Sequence, residues 1–262
     1  MKLSISNIAW EEKDDAQIYE WMKQYGFIGL EIAPTRIFPE KPYEKLVEAK
    51  KWSKKLIEKY GFVVPSMQSI WYGKQEQLFG TEEERRSLLD YTKLAVDFAA
   101  AIGCKNLVFG CPRNRVKPEG TEEQIAQGFF RETGDYAYAH GVAIGMEANP
   151  PIYNTNYIND TTSALKLIEQ VNSKGFQLNL DLGTVIQNEE PIEEIRGHIA
   201  QISHIHISEP GLKVIEHREL HGRLRDILET EDYQGFISIE MGKKEDISFI
   251  EDTMKYIQEI FG

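Results

Sequence analysis

The chain predicts an α/β fold, a single (β/α)8 barrel spanning residues 1–262 with its active site at the C-terminal face of the strands. Three observations predict it. Short β-branched or aliphatic runs alternate with longer amphipathic runs, and the alternation repeats eight times without a break. Eight such units in about 250 residues is the arithmetic of that barrel. The longest connections, at 34–41, 70–80, 111–120, 149–160 and 209–216, all follow strands, on the side where such barrels build their sites.

Taken in order, a strand at 2–9 leads to a helix at 15–25, and "FIGLEIAP" at 27–34 leads to a helix at 42–60. "FVVPSMQSI" at 62–70 precedes a helix at 81–102, and "CKNLVFGCP" at 104–112 one at 121–140. The fifth unit pairs "VAIGMEANP" at 142–150 with 161–173, and the sixth "FQLNLDLG" at 176–183 with 191–200. "ISHIHISEP" at 202–210 is followed by 217–229, and "FISIEM" at 236–241 by 246–261. "TEEE" at 81–84 and "TEEQ" at 121–124 read as capping boxes. Gly61, Gly103, Gly141 and Gly175 stand where helices should stop before the next strand. A doubly wound open sheet is the rival, but it usually carries a Gly-rich turn after its first strand, and "SNIAWEE" has none. No Ser/Gly/Pro-rich linker interrupts the pattern, so one domain is expected.

A net charge of −12 and an isoelectric point near 5.1 argue against nucleic acid as a partner, because phosphate binding needs clustered cations. No run approaches the ~20 consecutive apolar residues of a membrane span, so no membrane association is expected. Two cysteines, Cys104 and Cys111, lack the spacing of a disulfide framework or zinc ribbon, and a reducing cytoplasm is the expected compartment.

Alternation within the strands makes the reading specific. In the seventh, His204, His206 and Ser208 share one face and Ile205 and Ile207 the other. Gln177, Asn179 and Asp181 oppose Phe176, Leu178 and Leu180; Ser238 and Glu240 oppose Ile237 and Ile239. The fifth strand sets Gly145 and Glu147 against Ile144 and Met146, and the second sets Gly29 and Glu31 against Ile28, Leu30 and Ile32. The aliphatic faces need a helix layer over them; the other faces point into the barrel. Four consecutive strands therefore end in Glu147, Asp181, His206 and Glu240. Three carboxylates converging on one mouth repel one another, and a cation is the remedy. Oxygen-rich ligation with one imidazole suits one divalent metal ion, Mn²⁺ first, with Mg²⁺, Zn²⁺ or Co²⁺ also accommodated. His204, one layer deeper, reads as a packing histidine or one that orients a ligand. By strict alternation Glu209 points away from the barrel unless the strand has ended before it.

These segments carry a resemblance. "GMEANP", "LNLDLG", "HIHISEP" and "ISIEM" resemble the metal-ligand segments of the sugar phosphate isomerase/epimerase superfamily, the xylose isomerase-like barrels that include ketose 3-epimerases, hydroxypyruvate isomerase and inosose dehydratase. The similarity covers essentially the whole chain. It implies Glu147, Asp181, His206 and Glu240 as metal ligands, with Glu147 and Glu240 also the catalytic acid and base. The activity implied is isomerisation or epimerisation of a sugar, sugar phosphate or related polyol ketone, by proton abstraction next to a metal-bound carbonyl through an enediolate. A metal-dependent lyase of the inosose-dehydratase type, or a non-catalytic metal- and sugar-binding barrel, is the alternative. The chain departs from ketose 3-epimerases at Thr184, where they place a histidine, and at Leu212 and Lys213, where they carry an arginine. The related apurinic-site endonucleases use further histidines from early strands, whereas all six here lie at 140 or later. Related barrels commonly form homodimers or tetramers, so homo-oligomerisation is expected too.

A carbohydrate substrate asks for hydroxyl-binding groups around an aromatic wall. The candidates are Glu31, Arg36, Gln68, Trp71, Arg113, Asn149 and His217, with Tyr72, Arg115, Tyr153 and Asn156 beside them. Lys243 and Lys244, after the eighth strand, stand where barrels often bind phosphate.

Overall fold

The structure, a computed structural model, describes residues 1–262. Eight parallel strands form one sheet: β1 (Lys2–Ser6), β2 (Phe27–Glu31), β3 (Ser66–Met67), β4 (Asn106–Phe109), β5 (Ala143–Glu147), β6 (Phe176–Asp181), β7 (Ile202–Ile207) and β8 (Phe236–Ile239). Their order is β2-β1-β8-β7-β6-β5-β4-β3. The circle closes between β2 and β3 through the bridges Gly29 to Val63 and Ile32 to Met67, the eight-stranded barrel that the alternation predicts.

Around the sheet lie α1 (Asp15–Gln24), α2 (Pro34–Ile37), α3 (Leu46–Tyr60), α4 (Glu82–Ile102), α5 (Gln124–Ala139), α6 (Thr161–Val171), α7 (Leu182–Gln187), α8 (Glu219–Thr230) and α9 (Ser248–Phe261). No helix is long and apolar enough to cross a membrane. The aliphatic strand faces pack outward against the helices: Leu178, Leu180, Ile205, Ile207, Ile237 and Ile239 are all buried. Burial of this continuous apolar layer, at about 25 cal/mol per Å², is the main force closing the barrel.

Several expected elements differ. Strands stop two or three residues early, because parallel partners run out at the barrel rim and the backbone turns into the connections. β3 is shortest, since Pro65 has no N–H to donate and Ser69 takes a positive φ of 56°. The helix expected at 191–200 is absent; Ile192–Ile195 and Ile199–Gln201 form two 3-10 turns separated by Gly197 at φ 78°. The helix of that unit is α7, which starts directly after β6. Thr81 and Glu84 form the full capping box, but Thr121 does not cap α5, which begins at Gln124. Gly61 and Gly103 end helices as expected. Gly175 does not: Asn172 takes the left-handed position after α6 at φ 49°.

The barrel interior is polar. Glu147 stands opposite Asn179, Asn179 opposite His204, Asp181 opposite His206, and His206 opposite Ser238. A register shift between Leu178 and Asn179 brings β6 and β7 into this alignment.

Candidate metal centre and active site

Glu147, Asp181, His206 and Glu240 converge. Each offers a donor atom within 4.8 Å of the others, at the C-terminal ends of four consecutive strands. His206 Nδ1 lies 3.0 Å from Glu147 Oε1 and 3.2 Å from Glu240 Oε2.

Three of the four donors are held by neighbours outside the set, and Glu240 contacts His206 alone. Asp181 caps α7: its Oδ2 accepts from Thr184 N at 2.8 Å and Thr184 Oγ1 at 2.9 Å, while Ser208 Oγ donates to Oδ1. Glu147 Oε2 accepts from Asn149 Nδ2 at 3.0 Å, and its Oε1 from Asn179 Nδ2 at 3.2 Å. The backbone at Gly110 allows this approach, since a Cβ there would meet Glu147 Oε2 at 2.6 Å. Asn149 Oδ1 in turn accepts from Arg115 Nη2 at 2.8 Å, and Arg115 Nη1 donates to the Glu147 carbonyl at 2.9 Å.

Glu31 lies beneath the site, not at its mouth. It is fully buried, with Oε1 3.0 Å from His206 Nε2, and Oε2 accepts from Ser238 Oγ at 2.7 Å. A carboxylate on one imidazole nitrogen orients the ring so that the other faces the donor set. His204 Nε2 stands 3.6 Å from Glu31 Oε2, and its ring meets His206 edge-on at 5.4 Å between centroids.

The electrostatics express crowding of like charge. Burial pushes the Glu240 carboxyl up to about 7, with Glu147 and Asp181 adding repulsion against the pull of His206. Burial and Glu147 raise Asp181 as well. Burial opposes a charge on Glu31, yet His206 and His204 hold it well below the usual carboxylate range. Burial alone would lower His206, but Glu240 and Glu31 raise it well above its ordinary value. Three carboxylates and an imidazole Nδ1 converging on one point match the chemistry of a divalent-cation donor set.

The other candidates divide. Asn149 stays at the site, on a cleft of about 160 Å³ that Tyr153, Leu212 and Glu209 also line. Gln68 is buried and donates to Ser6 Oγ inside the barrel. The Trp71 indole is buried too, donating to Thr92 Oγ1 at 2.9 Å and packing on Phe109, so it forms a floor instead of a wall. Arg36 pairs with Asp15 over the Trp10 ring. His217 stacks on Tyr256 at 3.7 Å, in a surface hollow with Val185 and Glu190, outside the cleft. Arg113 is exposed between the connections after β3 and β4. Lys243 pairs with Glu11 at 2.8 Å.

Glu209 lines the cleft because β7 ends at Ile207; Arg218 grips it through two contacts of 2.7 Å. Alternation could not find it past the strand end. Arg115, read as a mouth arginine, is fully buried and serves Asn149 instead. Asn179 was visible only as one more inward residue; its role depends on standing between Glu147 and His206.

The sequence profile of the xylose isomerase-like TIM barrels matches residues 19–260. The chain belongs to this family. Among solved structures, 3-keto-D-glucoside 4-epimerase from E. coli is 18% identical over 99% of each chain, with a TM-score of 0.76. D-psicose 3-epimerase from Clostridium cellulolyticum H10 is 16% identical, covering 100% of this chain and 99% of that one, with a TM-score of 0.79. A family 2 AP endonuclease from Brucella melitensis is 17% identical over 99% of both chains, at a TM-score of 0.73. At these identities the likeness is one of fold. No curated protein matches the chain in sequence.

Proposed function

We propose that the protein is a divalent-metal-dependent isomerase or epimerase of a sugar, sugar phosphate or related polyol ketone. The observation that carries this reading is the convergence of Glu147, Asp181, His206 and Glu240 within 4.8 Å, the first three held by hydrogen bonds from outside the donor set. Sugar epimerases among the similar solved structures agree with it in substrate class. When bound, a divalent ion, Mn²⁺ by preference, supplies Lewis-acid polarisation of a substrate carbonyl.

The chain's own share is proton handling. Glu147 and Glu240 project from β5 and β8, strands separated by two others, and both reach His206 Nδ1. They approach one reacting carbon from different directions, so one removes its proton and the other returns one. Burial places Glu240 near 7, where a carboxyl holds or releases a proton at neutral pH. Asp181, already taken up by Thr184 and Ser208, binds and does not shuttle. The acidic balance and the lack of early-strand histidines speak against a nuclease.

The test has two parts. Calorimetry on chelator-stripped protein should show one Mn²⁺ per chain, lost in Glu240→Gln and His206→Asn. NMR of a ketose panel in D2O should then show deuterium entering beside the carbonyl with the carbon skeleton and oxygens unchanged. Loss of water would instead make the enzyme a lyase, and metal binding without exchange on any sugar would leave a binding barrel.

A further inference from the structure

Beside the cleft, between the connections that follow β3 and β4, lies a larger hollow that proton transfer does not use. It encloses about 480 Å³ against about 160 Å³ for the cleft, and Pro112 lines both. Ligand pockets run at about 300–1,000 Å³, so the cleft alone is undersized and the hollow is not.

Its walls are braced. The buried Asn114 side chain donates through Nδ2 to the carbonyls of Lys74 at 3.0 Å and Glu76 at 2.9 Å, and Leu78 N donates to the Asn114 carbonyl at 2.7 Å. These bonds clip one connection to the other. Two lining residues, Ser69 at φ 56° and Cys111 at φ 44°, hold left-handed backbone without being glycine, a cost that surrounding structure must impose. Trp71, pinned to Thr92, closes the floor. Tyr72 stands on the rim 70% exposed, the most exposed large aromatic of the chain.

The chemistry of the lining selects the occupant. Glu76 neutralises Lys74 at 2.7 Å, and exposed Arg113 is the one lining cation without an ion pair. A phosphate asks for several converging cations and little space. An aromatic face with one guanidinium and a hollow three times the cleft suits a sugar ring.

Resting on the reading above, we infer that this hollow is a second sugar subsite. The substrate is then a glycoside, with its keto unit over Glu147 and Glu240 and its glycosyl unit against Tyr72, hydrogen-bonded by Arg113.

Calorimetry on the Mn²⁺-loaded full chain tests this with D-fructose, D-fructose 6-phosphate and two glucosyl-fructoses, maltulose and isomaltulose. At least one disaccharide should bind about tenfold more tightly than D-fructose, equivalent to about 1.4 kcal/mol. Tyr72→Ala and Arg113→Ala should each bring that ratio toward one, with the melting temperature held as a control for folding. Disaccharides that bind no more tightly than D-fructose overturn the subsite, and so does a gain confined to D-fructose 6-phosphate. The same ratios measured without Mn²⁺ separate the two readings: absence of metal binding removes the metal-dependent reaction, while the disaccharide ratio alone decides the hollow.

Discussion

Arg115 Nη2 donates to Asn149 Oδ1 at 2.8 Å, and because a guanidinium carries no acceptor, this one contact decides which end of the amide faces Glu147. The amide nitrogen occupies Glu147 Oε2, and Oε1 is left toward His206. A buried arginine thereby orients a carboxylate through an intermediate amide.

Asn149→Ala frees that oxygen. Mn²⁺ affinity is expected to fall about tenfold, the lower end of what outer partners of metal sites contribute. Arg115→Ala strips hydrogen bonds from the Glu147 carbonyl and Asn149 together, and should cost about 3 kcal/mol in urea denaturation. An unchanged unfolding midpoint in Arg115→Ala would remove the bracing role.

Glu31→Gln keeps the shape beneath His206 and removes the charge. Mn²⁺ binding should weaken by about 10–100-fold while the far-ultraviolet circular dichroism stays that of the parent. Equal affinities would mean that Glu31 is only a packing group.

Metal uptake should depend on pH with a definite sign. The donor set binds a cation with Glu240 ionised, and in the free protein that carboxyl sits at about 7. Above 7 it is already deprotonated and affinity is flat with respect to this group. Each unit below 7 should cost about tenfold in apparent affinity per competing proton. Calorimetry at several pH values in buffers of different ionisation enthalpy reads the released protons directly; a flat profile between 5 and 8 would contradict the assignment.

Two glycines should respond oppositely to alanine. At Gly175 a Cβ would stand 2.0 Å from the Gly134 carbonyl oxygen and 2.8 Å from Tyr138 N, both backbone of α5, so Gly175→Ala should lose about 3 kcal/mol. At Gly128, in the same helix with nothing within 4 Å, alanine should add about 0.5–1 kcal/mol. Thermal melts of both variants check the contrast.

Much of the site was legible because alternation is a local property. His206 and Ile207 face opposite ways whatever the rest of the chain does, and the same rule put Glu147, Asp181 and Glu240 inward at their strand ends. Residues past those ends obey no such period. Glu209 borders the cleft past the end of β7 while its carboxylate goes to Arg218, and Trp71 turned down into the core to meet Thr92. Propensity also misled at 191–200, where Pro191 and Gly197 bracket a segment too short to hold a helix.

The sequence by itself determined eight strand and helix units, a polar lumen, and four ionisable residues on adjacent strand ends. Only the tertiary structure decided that Glu31 sits under His206, that Asn179 stands between Glu147 and His206, and that Arg115 reaches Asn149. The physical reason is closure: strand tilt and the register shift at Leu178 and Asn179 set which inward residues share a level, and neither is written in the pattern of any single strand.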